Sequence, residues 1–160
     1  MEDLMHKIID DDFGDLLRDL QSSLMIRSVY DGSGVSVEHP FGPKMSEALE
    51  NFLKCAKKLG FSTANIANYA GYAEIGSGEK MVGILAHLDV VPEGDVSAWT
   101  VPPYSGAVVD GKLYGRGSLD DKGPAYSALY AMKALRDSGF RLDCRIRLIV
   151  GLDEESGGRC

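Results

Sequence analysis

Two residues near the middle of this 160-residue sequence have types and spacing that suit metal-assisted chemistry. His87 and Asp89 lie two positions apart in HLDVVPEG, directly after an apolar run. If that run is a strand that continues to Asp89, both side chains point to the same side. The carboxylate can then accept a hydrogen bond from one ring nitrogen, and the other is free for a metal ion. The alternative is a structural histidine that is hydrogen-bonded at the end of a strand.

Two further groups of carboxylates stand out. Asp120 and Asp121 lie in GRGSLDDKGP, just before a predicted helix and between glycines that allow close approach of the backbone. The second group, Asp153, Glu154 and Glu155 in GLDEESGG, follows an apolar strand, and its adjacent like charges are costly unless a cation or solvent receives them. The alternatives are that one aspartate caps the helix while the other is solvated, and that the acidic run is a solvated loop.

Hydrophobic periodicity predicts the elements that position these side chains. It predicts three helices, at about residues 11–26, 45–59 and 124–138. Short β-like segments are expected at 61–68 and 70–75, followed by the apolar run 81–86, a hairpin over 107–114 and a strand over 144–151. The hairpin turns at Asp110-Gly111, a pair that accepts the positive φ angles of a type I′ turn. The run MVGILA is continuously apolar, which is typical of a strand buried on both faces.

The order of these elements predicts an α/β layered fold. The strand at 81–86, the helix at 124–138 and the strand at 144–151 form a β-α-β unit, whose two strands are expected to be parallel. All three polar clusters then lie at the carboxyl ends of the strands, where open α/β folds bind ligands. So few strands make a thin sheet, and we expect one of its edges to be unpaired.

Taken together, the clusters predict a catalytic metal site. Carboxylate oxygens with an imidazole and no thiolate suit Zn²⁺ or a similar divalent ion. One of the two adjacent glutamates can bind the metal while the other remains free as a base. The cysteines at 55, 144 and 160 are widely spaced and include no C-x-x-C pair, which argues against both a disulfide framework and a thiolate zinc site.

Composition excludes several other classes of function. The chain has 17 Lys and Arg residues against 24 Asp and Glu, a formal net charge of −7, and no basic run to bind nucleic acid or anionic lipid. It contains neither a membrane-length apolar stretch nor the start of a secretory signal, so we expect a cytoplasmic protein. The glycine patterns of phosphate-binding loops are also absent, which excludes nucleotide binding through those motifs.

The motifs HLDVVPEG, GRGSLDDKGP and DEESGG, in that order, resemble the aminoacylase/carboxypeptidase family of di-zinc metallopeptidases. EHPFGPKMSEALENFL and NYAGYAEIGSGE are similar to its bacterial dipeptidase V group, the carnosinase-like Xaa-His dipeptidases. The likeness runs from about residue 10 to the final residue. It implies a three-layer α/β/α sandwich and a zinc-dependent dipeptidase with two Zn²⁺ ions in a complete site, for which Mn²⁺ or Co²⁺ could substitute.

The resemblance also implies a role for each matching residue. His87 would be a ligand of one zinc and Asp89 its hydrogen-bonding partner, while Asp120 would bridge both ions. Glu155 would bind the second zinc, and Glu154 would be the general base that activates the water. In this family the peptide bond after the bridging aspartate is typically cis, so a cis bond is expected directly after Asp120.

Members of the family continue beyond the segment that matches this chain. They supply another carboxylate ligand, a final histidine ligand and an inserted lid and dimerisation domain. We therefore expect residues 1–160 to be the N-terminal part of the catalytic domain, without the lid, with weak metal binding and little activity alone. The expected partners are a dipeptide substrate and the remaining C-terminal part of the same enzyme.

Two alternatives remain open at this point. A deacylase or desuccinylase of N-acyl amino acids would use the same zinc chemistry, and a non-catalytic, metal-binding α/β module would use the same ligands. Trp99 and Tyr104 follow the first motif in a loop rich in proline, and they either shape the pocket or pack on the surface.

Overall fold

The computed structural model describes residues 2–160, which form three α-helices, six β-strands and two short 3₁₀ turns. The helices are α1 (Glu2–Leu24), α2 (Pro43–Lys58) and α3 (Lys122–Asp137). The strands are β1 (Ser62–Ile66), β2 (Ala70–Gly76), β3 (Met81–His87), β4 (Ala107–Val109), β5 (Lys112–Tyr114) and β6 (Arg145–Gly151). The α/β class is as predicted.

Four of these strands form one sheet in the order β1-β2-β6-β3. Strands β3 and β6 are parallel neighbours, and the other pairings in this sheet are antiparallel. Helix α3 lies between β3 and β6 in the chain, which confirms the predicted β-α-β unit. The hairpin of β4 and β5 is separate, and Asp110 and Gly111 at its turn both have positive φ, as a type I′ turn requires.

The hydrophobic core lies between the helices and one face of the sheet. Every second residue of β2 and β6 faces it, and these side chains pack with apolar residues of α2 and α3. Its fully buried members include Leu49, Phe52, Ala73, Leu129, Leu148 and Val150. Burying each large aliphatic or aromatic side chain contributes about 1.5–3 kcal/mol, so this face anchors the strands from which the site loops emerge.

The opposite face of the sheet has no helical layer among residues 2–160, so the described part supplies two of the three expected layers. This also corrects the prediction that MVGILA is buried on both faces. Met81 is 45% exposed and Leu85 is 79% exposed. The reason is that β3 is an edge strand with β6 as its single neighbour, and the helices cover only its other face.

Helix α1 begins at Glu2, nine residues before the predicted start at residue 11. Its first turns carry an apolar stripe of their own at helical spacing, so the prediction began the helix too late. This stripe consists of Leu4, Met5, Ile8 and Ile9. Helix α3 begins at Lys122, two residues before Pro124, which occupies its first turn as proline can. No helix in residues 2–160 has both the length and the apolar character needed to cross a bilayer.

Candidate active site

The parallel pair β3 and β6 brings the first and third clusters together at the carboxyl ends of these two strands. His87, the last residue of β3, is paired with Gly151, the last residue of β6. The Leu88 amide extends this ladder by donating to the Gly151 carbonyl at 3.0 Å. The chain beyond each strand therefore leaves the sheet at the same place, and the acidic run starts beside the histidine.

His87 is held so that its two ring nitrogens face different groups. Nδ1 lies 3.1 Å from the main-chain oxygen of Asp89 and 3.4 Å from that residue's Oδ1. Nε2 lies 3.1 Å from Oδ1 of Asp120 and 3.9 Å from Oε2 of Glu154. Since Asp89 is fully buried and Asp120 and Glu154 are 74% and 62% exposed, Nε2 faces the solvent-accessible side of the cluster.

Asp120 and Asp121 have different surroundings, and the peptide bond between them is cis, as the resemblance implied. Asp120 points to the imidazole of His87, whereas Oδ2 of Asp121 accepts a hydrogen bond from the His87 main-chain amide at 3.1 Å. Asp121 is the N-cap residue of α3, yet its side chain makes no capping hydrogen bond. The alternative of an aspartate that caps the helix through its side chain is therefore wrong.

The acidic run after β6 is tied to the histidine cluster through Asp89. The Glu155 main-chain amide donates to Oδ2 of Asp89 at 2.9 Å, which leaves Oδ1, buried and without a hydrogen-bond donor, facing His87. The two glutamates differ in position: a carboxylate oxygen of Glu155 joins the ligand cluster, whereas Glu154 lies beside it. An open cleft of about 310 Å³ adjoins His87 and Glu154.

Ligand atoms of His87, Asp120 and Glu155 lie within 4.8 Å of one another. Ligands of one tetrahedral zinc ion, each at about 2.0–2.2 Å from it, lie roughly 3.3–3.6 Å apart, so these atoms would have to approach one another by up to about an ångström to share a single ion. One imidazole and two carboxylates form a donor set that zinc accepts, and the buried Asp89 carboxylate faces Nδ1 as partners of metal-bound histidines do. The residues present therefore fit a divalent metal ion.

The charges in this cluster shift its ionisation. The Asp89 carboxylate raises the pKa of His87 to about 9, while burial of the ring acts in the opposite direction. The pKa of Glu155 is also raised, first by burial and then by the negative charge of Asp120. The carboxylates of Asp89 and Asp120, on opposite sides of the imidazole, concentrate negative charge there, which is an environment that favours a cation.

Lys122 is a buried residue of this region that the sequence analysis did not single out. Its ammonium group is fully buried and donates to the carbonyl oxygens of Ser23 and Ile26 at 2.7 and 2.8 Å, at the end of α1. Burial lowers its pKa to about 7. A lysine after two aspartates suggests a solvated side chain, so no local signal in the sequence predicted this burial.

Trp99 and Tyr104 both contact Glu93 in the loop of the first motif. The indole of Trp99 donates to the Glu93 carbonyl at 2.9 Å, and the hydroxyl of Tyr104 donates to the Glu93 carboxylate at 2.9 Å. Arg27 forms an ion pair with the same carboxylate at 2.9 Å. Tyr104 is therefore a packed surface aromatic, whereas Trp99 also lines a cleft of about 300 Å³ that reaches Asp120.

Comparison with known proteins identifies relatives of this chain. Residues 83–159 match the model of peptidase family M20/M25/M40, and this segment contains all three clusters. The chain is 43% identical to YtjP of Bacillus subtilis (strain 168) over 146 residues, which are 91% of this chain and 31% of that protein. It is 41% identical to the Beta-Ala-Xaa dipeptidase of Lactobacillus delbrueckii subsp. lactis over 142 residues, which are 88% of this chain and 30% of that enzyme.

The fold has matching solved structures as well. Human carnosine dipeptidase 1 superimposes with a TM-score of 0.77 at 25% sequence identity, over 95% of this chain and 34% of that one. The chain thus spans about a third of the length of the proteins it matches. By sequence and by fold, it is related to the peptidases of family M20/M25/M40.

Proposed function

We propose that residues 1–160 form the N-terminal part of the catalytic domain of a zinc-dependent dipeptidase, without its lid and dimerisation domain. The observation that carries this proposal is the convergence of His87, Asp120 and Glu155, whose ligand atoms lie within 4.8 Å of one another beside the carboxylate of Glu154. The names of the Lactobacillus and human relatives support a dipeptide as the substrate.

In this proposal His87, Asp120 and Glu155 would hold the metal, with Asp120 bridging two ions. A bound divalent ion lowers the pKa of a coordinated water and polarises the scissile carbonyl group. A catalytic zinc ordinarily has three protein ligands of its own, and three donors are too few for two ions. We infer that the remaining donors come from the part of the enzyme outside residues 1–160.

The other residues prepare the site for proton transfer. Asp89 orients the imidazole through Nδ1, so that Nε2 faces the ligand cluster. Glu154 lies close to that cluster but is not one of the three ligand residues, and its carboxylate is 62% exposed. In this proposal Glu154 would take a proton from the attacking water and pass it to the leaving amine.

Substitution of Glu154 tests the proposed chemistry in the complete enzyme. Glu154→Gln removes the base but keeps the shape of the side chain, so we expect kcat for dipeptide hydrolysis to fall by about 10²–10⁴ while zinc content is unchanged. Glu79→Gln is the matched control, because Glu79 is exposed in the connection between β2 and β3. Full activity in Glu154→Gln would refute the role of base, whereas a complete wild-type protein that binds zinc but hydrolyses no dipeptide would favour a non-catalytic, metal-binding module.

Two further measurements define the metal and the substrate class. We expect His87→Ala to lose bound zinc, as measured by inductively coupled plasma analysis. Dipeptides and N-acyl amino acids should be compared as substrates, because a deacylase of N-acyl amino acids would use the same residues. Faster hydrolysis of N-acyl amino acids would contradict the dipeptidase assignment without contradicting the metal site.

A further inference from the structure

The segment that follows β6 is folded around one buried carboxylate. We call residues 152–159 the acid loop, because it carries Glu154 and Glu155. Between β6 and these two glutamates lies Asp153, which is fully buried. A buried carboxylate is costly unless it is paired and hydrogen-bonded, so its partners indicate what it holds in place.

The partners of Asp153 all come from the later part of the same loop. Its carboxylate accepts hydrogen bonds from the Ser156 hydroxyl at 2.6 Å, from the Arg159 main-chain amide at 3.1 Å and from the Arg159 guanidinium at 2.8 Å. Its main-chain carbonyl accepts from the amides of Gly157 and Gly158 at 3.2 and 2.5 Å. Burial disfavours the charge on Asp153, but these hydrogen bonds outweigh it and lower the pKa of the carboxyl group.

Arg159 also attaches the acid loop to the N-terminal half of the chain. Its guanidinium carbon lies 5.1 Å from the ring centroid of Phe41 and 5.8 Å from that of Tyr30. Phe41 is 1% exposed and belongs to the hydrophobic core, so it gives the arginine a rigid surface. The Asp153–Arg159 ion pair therefore attaches the acid loop to the hydrophobic core.

This arrangement determines the direction of the two glutamates. The Glu155 main-chain amide is fixed by its hydrogen bond of 2.9 Å to the Asp89 carboxylate. Asp153 is fixed by its ion pair of 2.8 Å with Arg159. The short segment between these two attachments has little freedom to rotate. Its two side chains are consequently presented to the imidazole of His87 and to Asp120.

We propose that Asp153 and Arg159 are positioning residues, which hold Glu154 and Glu155 in their orientation toward the metal ligands without contacting substrate. This inference rests on the proposed metallopeptidase function. It assigns no chemical step to either residue. Instead it predicts that the geometry of the acid loop, and with it zinc affinity and kcat, depends on the Asp153–Arg159 pair.

The test uses the complete enzyme with Arg159→Met, Arg159→Lys and Asp153→Asn, and with Arg145→Met as the matched control. Arg145 is at the other end of β6, where it pairs with Glu74 and donates to the Gly78 carbonyl. Zinc affinity is measured by competition with a chelator, the ligand field by the absorption spectrum of the Co²⁺-substituted enzyme, and kcat and KM by dipeptide hydrolysis.

We expect Arg159→Met and Asp153→Asn each to weaken zinc binding by about 10-fold or more and to lower kcat, with KM changed less than about twofold. Arg159→Lys should recover part of the loss, because lysine keeps the charge but not the planar fork of donors. The double variant Asp153→Asn with Arg159→Met should lose no more zinc affinity or kcat than either single variant, since both substitutions act through the same contact. The Co²⁺ spectrum should change in these variants and not in Arg145→Met.

Two results would overturn the proposal. One is equal zinc affinity, spectrum and kcat in Arg159→Met and Arg145→Met. The other is loss of folded protein in Arg159→Met, seen by circular dichroism, which would make Arg159 a general stabilising residue. Failure of the dipeptidase assignment is distinguishable, because it would remove hydrolysis in the wild-type enzyme while the difference in zinc affinity between variants remained.

Discussion

The loop that presents Asp120 should be unusually sensitive to a single added methyl group. Gly117 has φ of +90°, a conformation that L residues rarely adopt. A Cβ at this position would lie 2.9 Å from Cγ1 of Val90 and 3.2 Å from Cδ of Lys122. Val90 is 2% exposed and Lys122 is fully buried, so neither has open space into which to move.

These contacts determine the expected size of the effect of Gly117→Ala. Positive φ costs a non-glycine residue about 1–2 kcal/mol, and crowding in a packed interior costs typically about 1–3 kcal/mol. The free energy of unfolding should therefore fall by about 2–5 kcal/mol. Relief of the crowding must move the loop that carries Asp120, so zinc affinity should fall as well.

Gly139→Ala is the matched control, because it separates backbone strain from crowding. Gly139 has φ of +75°, but a Cβ there would meet no atom within 4 Å. It follows the C-terminal end of α3, a helix of 16 residues or about 24 Å, whereas Gly117 precedes its N-terminal end. We expect a loss of about 1–2 kcal/mol and unchanged zinc affinity.

Urea denaturation of the metal-free proteins gives the two free energies of unfolding, and competition with a chelator gives zinc affinity. The reasoning predicts a larger loss of stability for Gly117→Ala than for Gly139→Ala, and an effect on zinc only for the former. Equal losses in both variants would show that Val90 and Lys122 do not restrict Gly117. Unchanged zinc affinity in Gly117→Ala would refute the link between this packing and the position of Asp120.

Three further measurements test other parts of the structure. Asp89→Asn should weaken zinc binding by about 10–100-fold in a chelator competition assay, because it removes the charge that faces the imidazole; an unchanged affinity would contradict this role. A thiol reagent should modify the exposed Cys160 in the native protein but Cys55 only after unfolding, since burial raises the pKa of Cys55, and mass spectrometry of the labelled peptides identifies the order. Burial, followed by the hydrogen bond to Glu93, raises the pKa of Tyr104 from 10.0 to about 12. Between about pH 10 and 12 the folded protein keeps the Tyr104 proton and the unfolded chain loses it, so the contribution of Tyr104 to the free energy of unfolding should fall over this range. An ultraviolet difference titration against Tyr104→Phe should show the late ionisation. A phenolate that forms near the ordinary pKa of tyrosine would contradict this expectation.

The β-α-β unit was predictable because its signals are local. An apolar run, an amphipathic segment and a second apolar run lie in order between residues 81 and 151, and the parallel pairing of β3 with β6 follows from that order. The hairpin turn at Asp110-Gly111 was predictable for a similar reason, since few residue pairs accept its backbone angles.

Exposure was less predictable than secondary structure. The apolar character of MVGILA indicated a strand, but whether its outer face is covered depends on elements distant in sequence, and Leu85 is 79% exposed among the described residues. The converse holds for Lys122, whose charge suggested solvent while its ammonium group lies against two carbonyls at the end of α1. Local composition does not report which distant segment a side chain meets.

The residue types of the three clusters and their placement after strands were sufficient to predict a site of one imidazole and several carboxylates, because the ends of parallel strands must share an edge. Only the tertiary structure decided how each acid is used. Asp121 accepts a hydrogen bond from the His87 main-chain amide instead of capping its helix. Asp89 connects the first cluster to the third by accepting a hydrogen bond from the Glu155 amide, and Asp153 is buried in an ion pair with Arg159. These roles depend on side-chain directions that are set to within an ångström by packing between distant segments, and spacing along a chain carries no information at that scale.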